Sequence, residues 1–184
     1  MIRPIFLYGA DVLRQTAAPA DLNDREGLAA LIQDLKDTLQ RADGCGLAAP
    51  QIGVSRRVVI VDGDVVSDVY DYLKDFRRTL INPEILEESE EKVTYSEGCL
   101  SIPGIYCDVL RPKTIKVRYF NEEMKPVEEV FDNFAARMVQ HELSHLDGDL
   151  FTDHAAPIRK KMLSSKLQNI SKGKVHPHYN SKLR

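Results

Sequence analysis

The sequence predicts an α+β fold, with antiparallel β-sheets wrapped around one central helix, a packing helix before them and a further helix near the C-terminus. Three observations predict it. Leu28, Leu31, Ile32, Leu35 and Leu39 recur at helical spacing near the N-terminus. Short apolar and β-branched runs, separated by turn residues, fill the middle of the chain. A second helical stretch, starting near Phe134, follows those strands, and there is neither an internal repeat nor a linker.

Residues 1–23 read as irregular, because Pro4 and Pro19 limit regular structure; Asp11 to Arg14 can form a single turn. A packing helix runs from about Asp24 to Ala42, its leucine stripe facing inward and its charged residues outward. The stretch from Asp43 to Gly53 reads as a glycine-rich turn in which Gln51 is the only long polar side chain. It is not a phosphate loop, since no Gly-Lys-Ser/Thr follows. Arg57 to Asp62 is a buried strand. Residues 63–79 are charged and weakly patterned, a surface excursion with partial helix around Tyr70 to Arg78. Extended segments follow at Leu80–Pro83, Val93–Ser96, Tyr106–Leu110, Thr114–Phe120 and Val127–Phe131, with a turn at Gly98–Ser101 and another at Asn121–Lys125. The second helix begins after Asp132 or Asn133 as N-cap and ends at Gly148. Ile158 to Ile170 forms the last helix, and residues 171–184 read as a frayed basic tail.

Length and composition set outer limits. A chain of 184 residues, 43% hydrophobic and 29% charged, fits a single globular domain, 1–184. A net charge of −3 argues against a general nucleic-acid surface, and no sequence-specific nucleic-acid partner is expected. No stretch is long enough to cross a membrane, and the N-terminus has no apolar signal core, so a cytoplasmic location is expected. Cys45, Cys99 and Cys107 make an odd count with no framework spacing, which suits free thiols in a reducing compartment.

Gln140-His141-Glu142-Leu143-Ser144-His145-Leu146 carries the chemistry. Two histidines four apart lie one above the other on a helix, so both imidazoles can reach one metal ion. Glu142 between them can serve as proton acceptor for an activated water. Alone, so short a motif also fits an amphipathic surface helix with two solvated histidines. A catalytic metal needs a third protein ligand and an open position. Phe151 occupies the place where longer motifs of this type carry a third histidine, and no acidic residue follows Asp153. Asp149, Asp153, His154, His176 and His178 remain as candidates downstream. Upstream, Cys99 follows a strand beside Gly98, where a thiolate could be presented. A Cys-His-His set is an accepted catalytic combination.

Three blocks in order, Gly44-Cys45-Gly46-Leu47-Ala48-Ala49-Pro50-Gln51, Glu97-Gly98-Cys99-Leu100-Ser101 and the histidine motif, resemble the signature motifs of peptide deformylase. The resemblance spans roughly Ile2 to Ile170. It implies an α+β fold with the histidine helix enclosed by antiparallel sheets. It also implies that Cys99, His141 and His145 bind the metal and that Glu142 is the general base and acid. Gln51 and the Leu100 N–H would hold the formyl oxygen, with Gly46, Gly98 and Cys45 lining the substrate site. Related enzymes often use Fe2+ with this donor set, and Zn2+ or another divalent ion suits it too. The implied substrate is the formylmethionyl end of a nascent peptide, and the implied activity is its hydrolysis to formate and a free amine.

The methionine side chain needs an apolar pocket, for which Tyr95, Phe134 and Met138 are candidates. Arg137 would then fold its stem along that pocket or point away. Ser144 stands where many members of that family carry Asp, and Tyr106 near where many carry a peptide-binding arginine. Between His154 and Arg184 there are 8 Lys or Arg and no Asp or Glu, so a basic C-terminal helix that docks on the ribosome is a further expectation. Two rivals stand beside this reading. One is a zinc endopeptidase, which needs no Cys99. The other is a structural-metal or ribosome-binding module, which needs no catalytic Glu142.

Overall fold

The computed structural model describes the whole chain, residues 1–184. Its centre is a five-stranded antiparallel sheet in the order β2-β3-β4-β7-β8, formed by Gly46–Ala48 (β2), Val58–Asp62 (β3), Arg77–Glu88 (β4), Thr114–Phe120 (β7) and Pro126–Asp132 (β8). Between β4 and β7, strands β5 (Lys92–Cys99) and β6 (Ile102–Pro112) form a separate two-stranded hairpin. The first helix, α1 (Arg25–Ala42), starts at Asp24, whose side chain accepts from the Gly27 N–H at 2.9 Å, and ends at Asp43 in the left-handed region. The histidine helix is α2 (Asn133–Leu146).

The near-continuous apolar run of β3 follows from burial on both faces. Val59 and Val61 pack toward Ala136, Val139 and Leu143 of α2, whereas Val58 and Ile60 pack against Leu28, Ile32, Leu35 and Leu39 of α1. One sheet thus separates two cores. A third core joins Ile102, Ile105, Cys107 and Val109 of β6 to Phe151, Leu163 and Ile170, the last two from α3 (Pro157–Ser171). Helix α2 is thereby enclosed, as the sequence predicts. Gly148 ends it at φ +73, where an added Cβ would lie 2.6 Å from the Arg14 carbonyl oxygen.

Four local expectations are corrected. Gly46–Ala48, expected within a turn, is an edge strand that pairs with Val59–Val61. Its apolar residues are buried from both sides, and this long-range pairing, not local pattern, makes it extended. Strand β5 runs on through Glu97 to Cys99, so the expected turn at 98–101 shrinks to Leu100 and Ser101. Residues 63–79 carry only two short 3-10 turns, Asp64–Val66 and Asp71–Leu73, before β4 begins. The tail is not frayed. Ser181–Lys182 (β9) pairs in parallel with Ile5–Phe6 (β1), and the Lys182 ammonium lies 4.5 Å from the Phe6 ring centroid.

Candidate metal centre

The centre forms where α2 passes beneath the end of β5. The Sγ of Cys99 and one ring nitrogen each from His141 and His145 lie within 4.8 Å of one another. Cys99 Sγ faces His145 Nε2 at 3.3 Å. Of the alternatives for a third donor, Asp153 is taken by Arg14 at 2.6 Å, and Asp149 and His154 bond to each other. His176 and His178 lie outside the donor cluster.

Glu97, whose role sequence reasoning left blank, organises the shell around these donors. Only 4% exposed, it accepts from His141 Nδ1 at 2.8 Å, from Arg111 Nε and Nη2 at 2.8 and 3.1 Å, and from Arg137 Nη1 at 2.6 Å. The Nδ1 proton of His141 thus faces a carboxylate, which turns the lone pair of Nε2 toward the centre. Burial alone would raise the pKa of Glu97. The hydrogen bonds from His141 and Arg111 outweigh it and hold the carboxyl well below the usual range. Arg111 also donates to Ser144 Oγ at 3.1 Å, and that hydroxyl donates to the Gln140 carbonyl. Arg137 does not point away: it lines a cavity beside the centre. Its guanidinium turns inward to Glu97, Val109 O and Val93 O, 5.2 Å from the Tyr95 ring centroid.

Glu142 is 4% exposed, and its Oε2 has no hydrogen-bond partner in the protein. Burial pushes its pKa up to about 7. A carboxylate so placed can take up and release a proton near neutrality. Gly46 explains how it fits, since a Cβ there would lie 2.4 Å from Glu142 Oε1. Burial also holds His145 well below the ordinary imidazole range, which keeps it neutral, as a ligand must be. His141 is held above that range despite burial, because Cys99 and Glu97 stand within hydrogen-bonding reach of its ring. A cation between these groups would relieve that imbalance. The orphaned Glu142 oxygen and the convergent sulfur and imidazoles therefore fit a divalent metal.

Gln51 lies beside the cluster, buried, with Oε1 accepting from the Ala48 N–H at 2.8 Å. Its amide nitrogen donates to Ser101 Oγ at 3.1 Å and stands 3.5 Å from Cys99 Sγ. No acceptor in the protein takes the Leu100 N–H.

A cavity of about 570 Å³ opens beside these groups. Cys45, Gly46, Gly98, Phe134 and Met138 line it. Burial, then the nearby Glu142, pushes the Cys45 thiol up to about 12, so it packs as a neutral side chain. Tyr95 does not line the cavity. It backs Phe134, ring centroids 5.3 Å apart. Tyr70, from the 63–79 excursion, stacks on Phe134 at 4.5 Å. Tyr106 is 63% exposed and stands over Gly98, where a Cβ would meet its ring at 2.4 Å. An arginine does reach that edge, but from α3: Arg159 donates to the Tyr106 carbonyl at 3.0 Å.

Comparisons with known proteins agree with this geometry. A family model described as polypeptide deformylase matches residues 2–161. A peptide deformylase of Cytophaga hutchinsonii is 41% identical over 182 residues, covering 99% of this chain and 97% of its own. One from Fusobacterium nucleatum is 42% identical over 173 residues, covering 94% of each. The crystal structure of a peptide deformylase from Legionella pneumophila superposes with a TM-score of 0.82 at 36% identity, covering 95% of this chain and 98% of that one.

Proposed function

The chain belongs to the peptide deformylase family, metal-dependent hydrolases that remove the N-formyl group from the N-terminal methionine of nascent polypeptides, and from that premise we propose the roles of its individual residues. The whole chain, 1–184, acts as one catalytic unit. Cys99, His141 and His145 would hold one divalent ion, Fe2+ in the cell, with Zn2+ or another divalent ion able to replace it. When bound, such an ion acts as a Lewis acid and lowers the pKa of coordinated water from about 15.7 toward 7. The observation that carries this assignment is the convergence of the three donor atoms within 4.8 Å, beside an unpartnered carboxylate oxygen of Glu142.

Glu142 takes the proton of the attacking water and passes it to the leaving nitrogen, a transfer suited to a carboxyl held at about 7. The Gln51 amide and the free Leu100 N–H donate to the formyl oxygen as it gains charge. Gln51 must turn one N–H away from Cys99 to do so. The methionine side chain enters among Cys45, Phe134 and Met138. The peptide beyond it lies extended between the free edge of β2 at Gly46 and β5 at Gly98, pairing through main-chain groups without regard to sequence. A formyl carbon bears only hydrogen, so a close wall beside the ion excludes larger acyl groups.

Docking on the ribosome, and with it a cytoplasmic location, is supported by Lys160, Lys161 and Lys166, all exposed on α3. Reversing the first two to Glu should weaken cosedimentation with ribosomes at low salt. No helix is long and apolar enough to cross a membrane. The assignment is tested by formate release from a formylmethionyl peptide. Activity should vanish with a chelator and return with Fe2+; activity that persists in the fully metal-stripped protein would refute it.

A further inference from the structure

The cavity has a wall that lies outside the residues matched by the family model. Val175, His176, Pro177, His178 and Tyr179 all line it, whereas the match ends at residue 161. Two fixed points hold this segment. Upstream, α3 is anchored through Leu163 and Ile170. Downstream, the Ile5 N–H donates to Asn180 O and the Leu7 N–H to Lys182 O, each at 2.9 Å. Between these anchors the chain crosses the mouth of the cavity and touches both of its banks. The Tyr179 hydroxyl donates to the Leu100 carbonyl at 2.5 Å, on the turn that follows Cys99. His178 Nε2 stands 3.9 Å from Asp43, at the head of the strand that bears Gly46.

We propose that residues 175–179 are a working part of the peptide site, Tyr179 positioning the Leu100 turn and His176 and His178 contacting the residues that follow formylmethionine. This rests on the deformylase reading above. Two features support it. Tyr179 fixes the carbonyl of the very residue whose N–H is left without an acceptor, so the turn that presents that N–H is steadied by a side chain 79 positions away. Alternation along the segment turns Val175, Pro177 and Tyr179 inward and leaves both histidines exposed at the mouth, free to meet a ligand. Imidazoles at that position can donate to or accept from peptide groups of any sequence.

The test uses full-length, metal-loaded protein with two substrates, formylmethionine followed by one residue or by three, and binding of the unformylated tripeptide Met-Ala-Ser as probe. His176→Ala/His178→Ala should raise KM for the longer substrate about 3- to 10-fold more than for the shorter one, and weaken Met-Ala-Ser by a similar factor. Tyr179→Phe should lower kcat about 3- to 10-fold on both substrates with KM little changed and an unchanged melting temperature. The inference is overturned if both variants keep wild-type kcat, KM and Met-Ala-Ser affinity, or if activity on both substrates falls equally and in step with thermal stability. A wild-type protein that releases no formate from either substrate would sink the deformylase reading itself, which is a separate outcome.

Discussion

Replacing Glu97 by Gln should damage stability and metal affinity together. The carboxylate takes four hydrogen bonds, from Arg111 at 2.8 and 3.1 Å, from Arg137 at 2.6 Å and from His141 at 2.8 Å. A glutamine of the same shape keeps one acceptor oxygen and turns an amide N–H toward donors. It also leaves two buried guanidinium groups, of which that of Arg137 is 2% exposed, without their counter-charge. Breaking a buried pair in this way typically costs about 3–5 kcal/mol. For a chain of this size each kcal/mol moves Tm by about 2–4 °C, so the variant should melt about 6–20 °C lower at pH 7. Loss of the carboxylate behind His141 should also weaken metal binding about 10- to 100-fold. The pH dependence has a definite sign. The folded carboxyl is held below its ordinary value of 4.5, so its stabilisation is complete above that value and declines as pH falls below it. The gap between wild type and variant should therefore narrow on acidification below about pH 4.5. Thermal unfolding followed by circular dichroism across pH, with chelator titration of the metal, measures both. A variant that melts within about 2 °C of wild type at pH 7 and holds its metal equally well would refute the reasoning.

Gly46→Ala drives a methyl group to 2.4 Å from Glu142 Oε1. It should cut kcat about 100-fold while the protein still folds and binds metal, as read by formate release and metal content. Gln51→Leu removes the donor proposed for the developing oxyanion and should lower kcat about 100- to 1000-fold, with a much smaller change in KM. Tyr70→Ala removes the ring stacked on Phe134 at 4.5 Å. It should raise KM for formylmethionyl peptides about 3- to 10-fold and loosen discrimination against smaller side chains, read as kcat/KM for formylated Met against formylated Ala peptides.

The parts of this protein that could be read in advance are those whose cause is local. The spacing of His141 and His145 places both rings on one face whatever surrounds them, and Asp24 caps α1 through an N–H three residues on. Cys99 could be narrowed to because competing donors downstream were few, and Asp149 and Asp153 suited helix-end or surface positions. Glu97 could not be read, although it sits in the same block as Cys99. Its partners Arg111 and Arg137 lie 14 and 40 positions away, and only the fold brings them together. Strand β2 was hidden for the same reason, since three small or apolar residues become a strand only against β3. The tail could not be read in advance because its anchors are distant in sequence: one tyrosine hydroxyl on Leu100, a two-residue pairing with β1, and Val175 and Leu183 packed against the third core. Tyr70, Leu73 and Phe76, scattered among the charges, were the available hints that residues 63–79 pack against something, and all three reach the first core.

The role given to Glu142 is tested most directly by exchanging it for glutamine and following two quantities on one sample. The Glu142→Gln protein should keep close to one divalent ion per chain, because none of Cys99, His141 and His145 is altered, while formate release from a formylmethionyl peptide falls by at least about 100-fold. A variant that turns over at the wild-type rate, with its ion in place, would contradict the account.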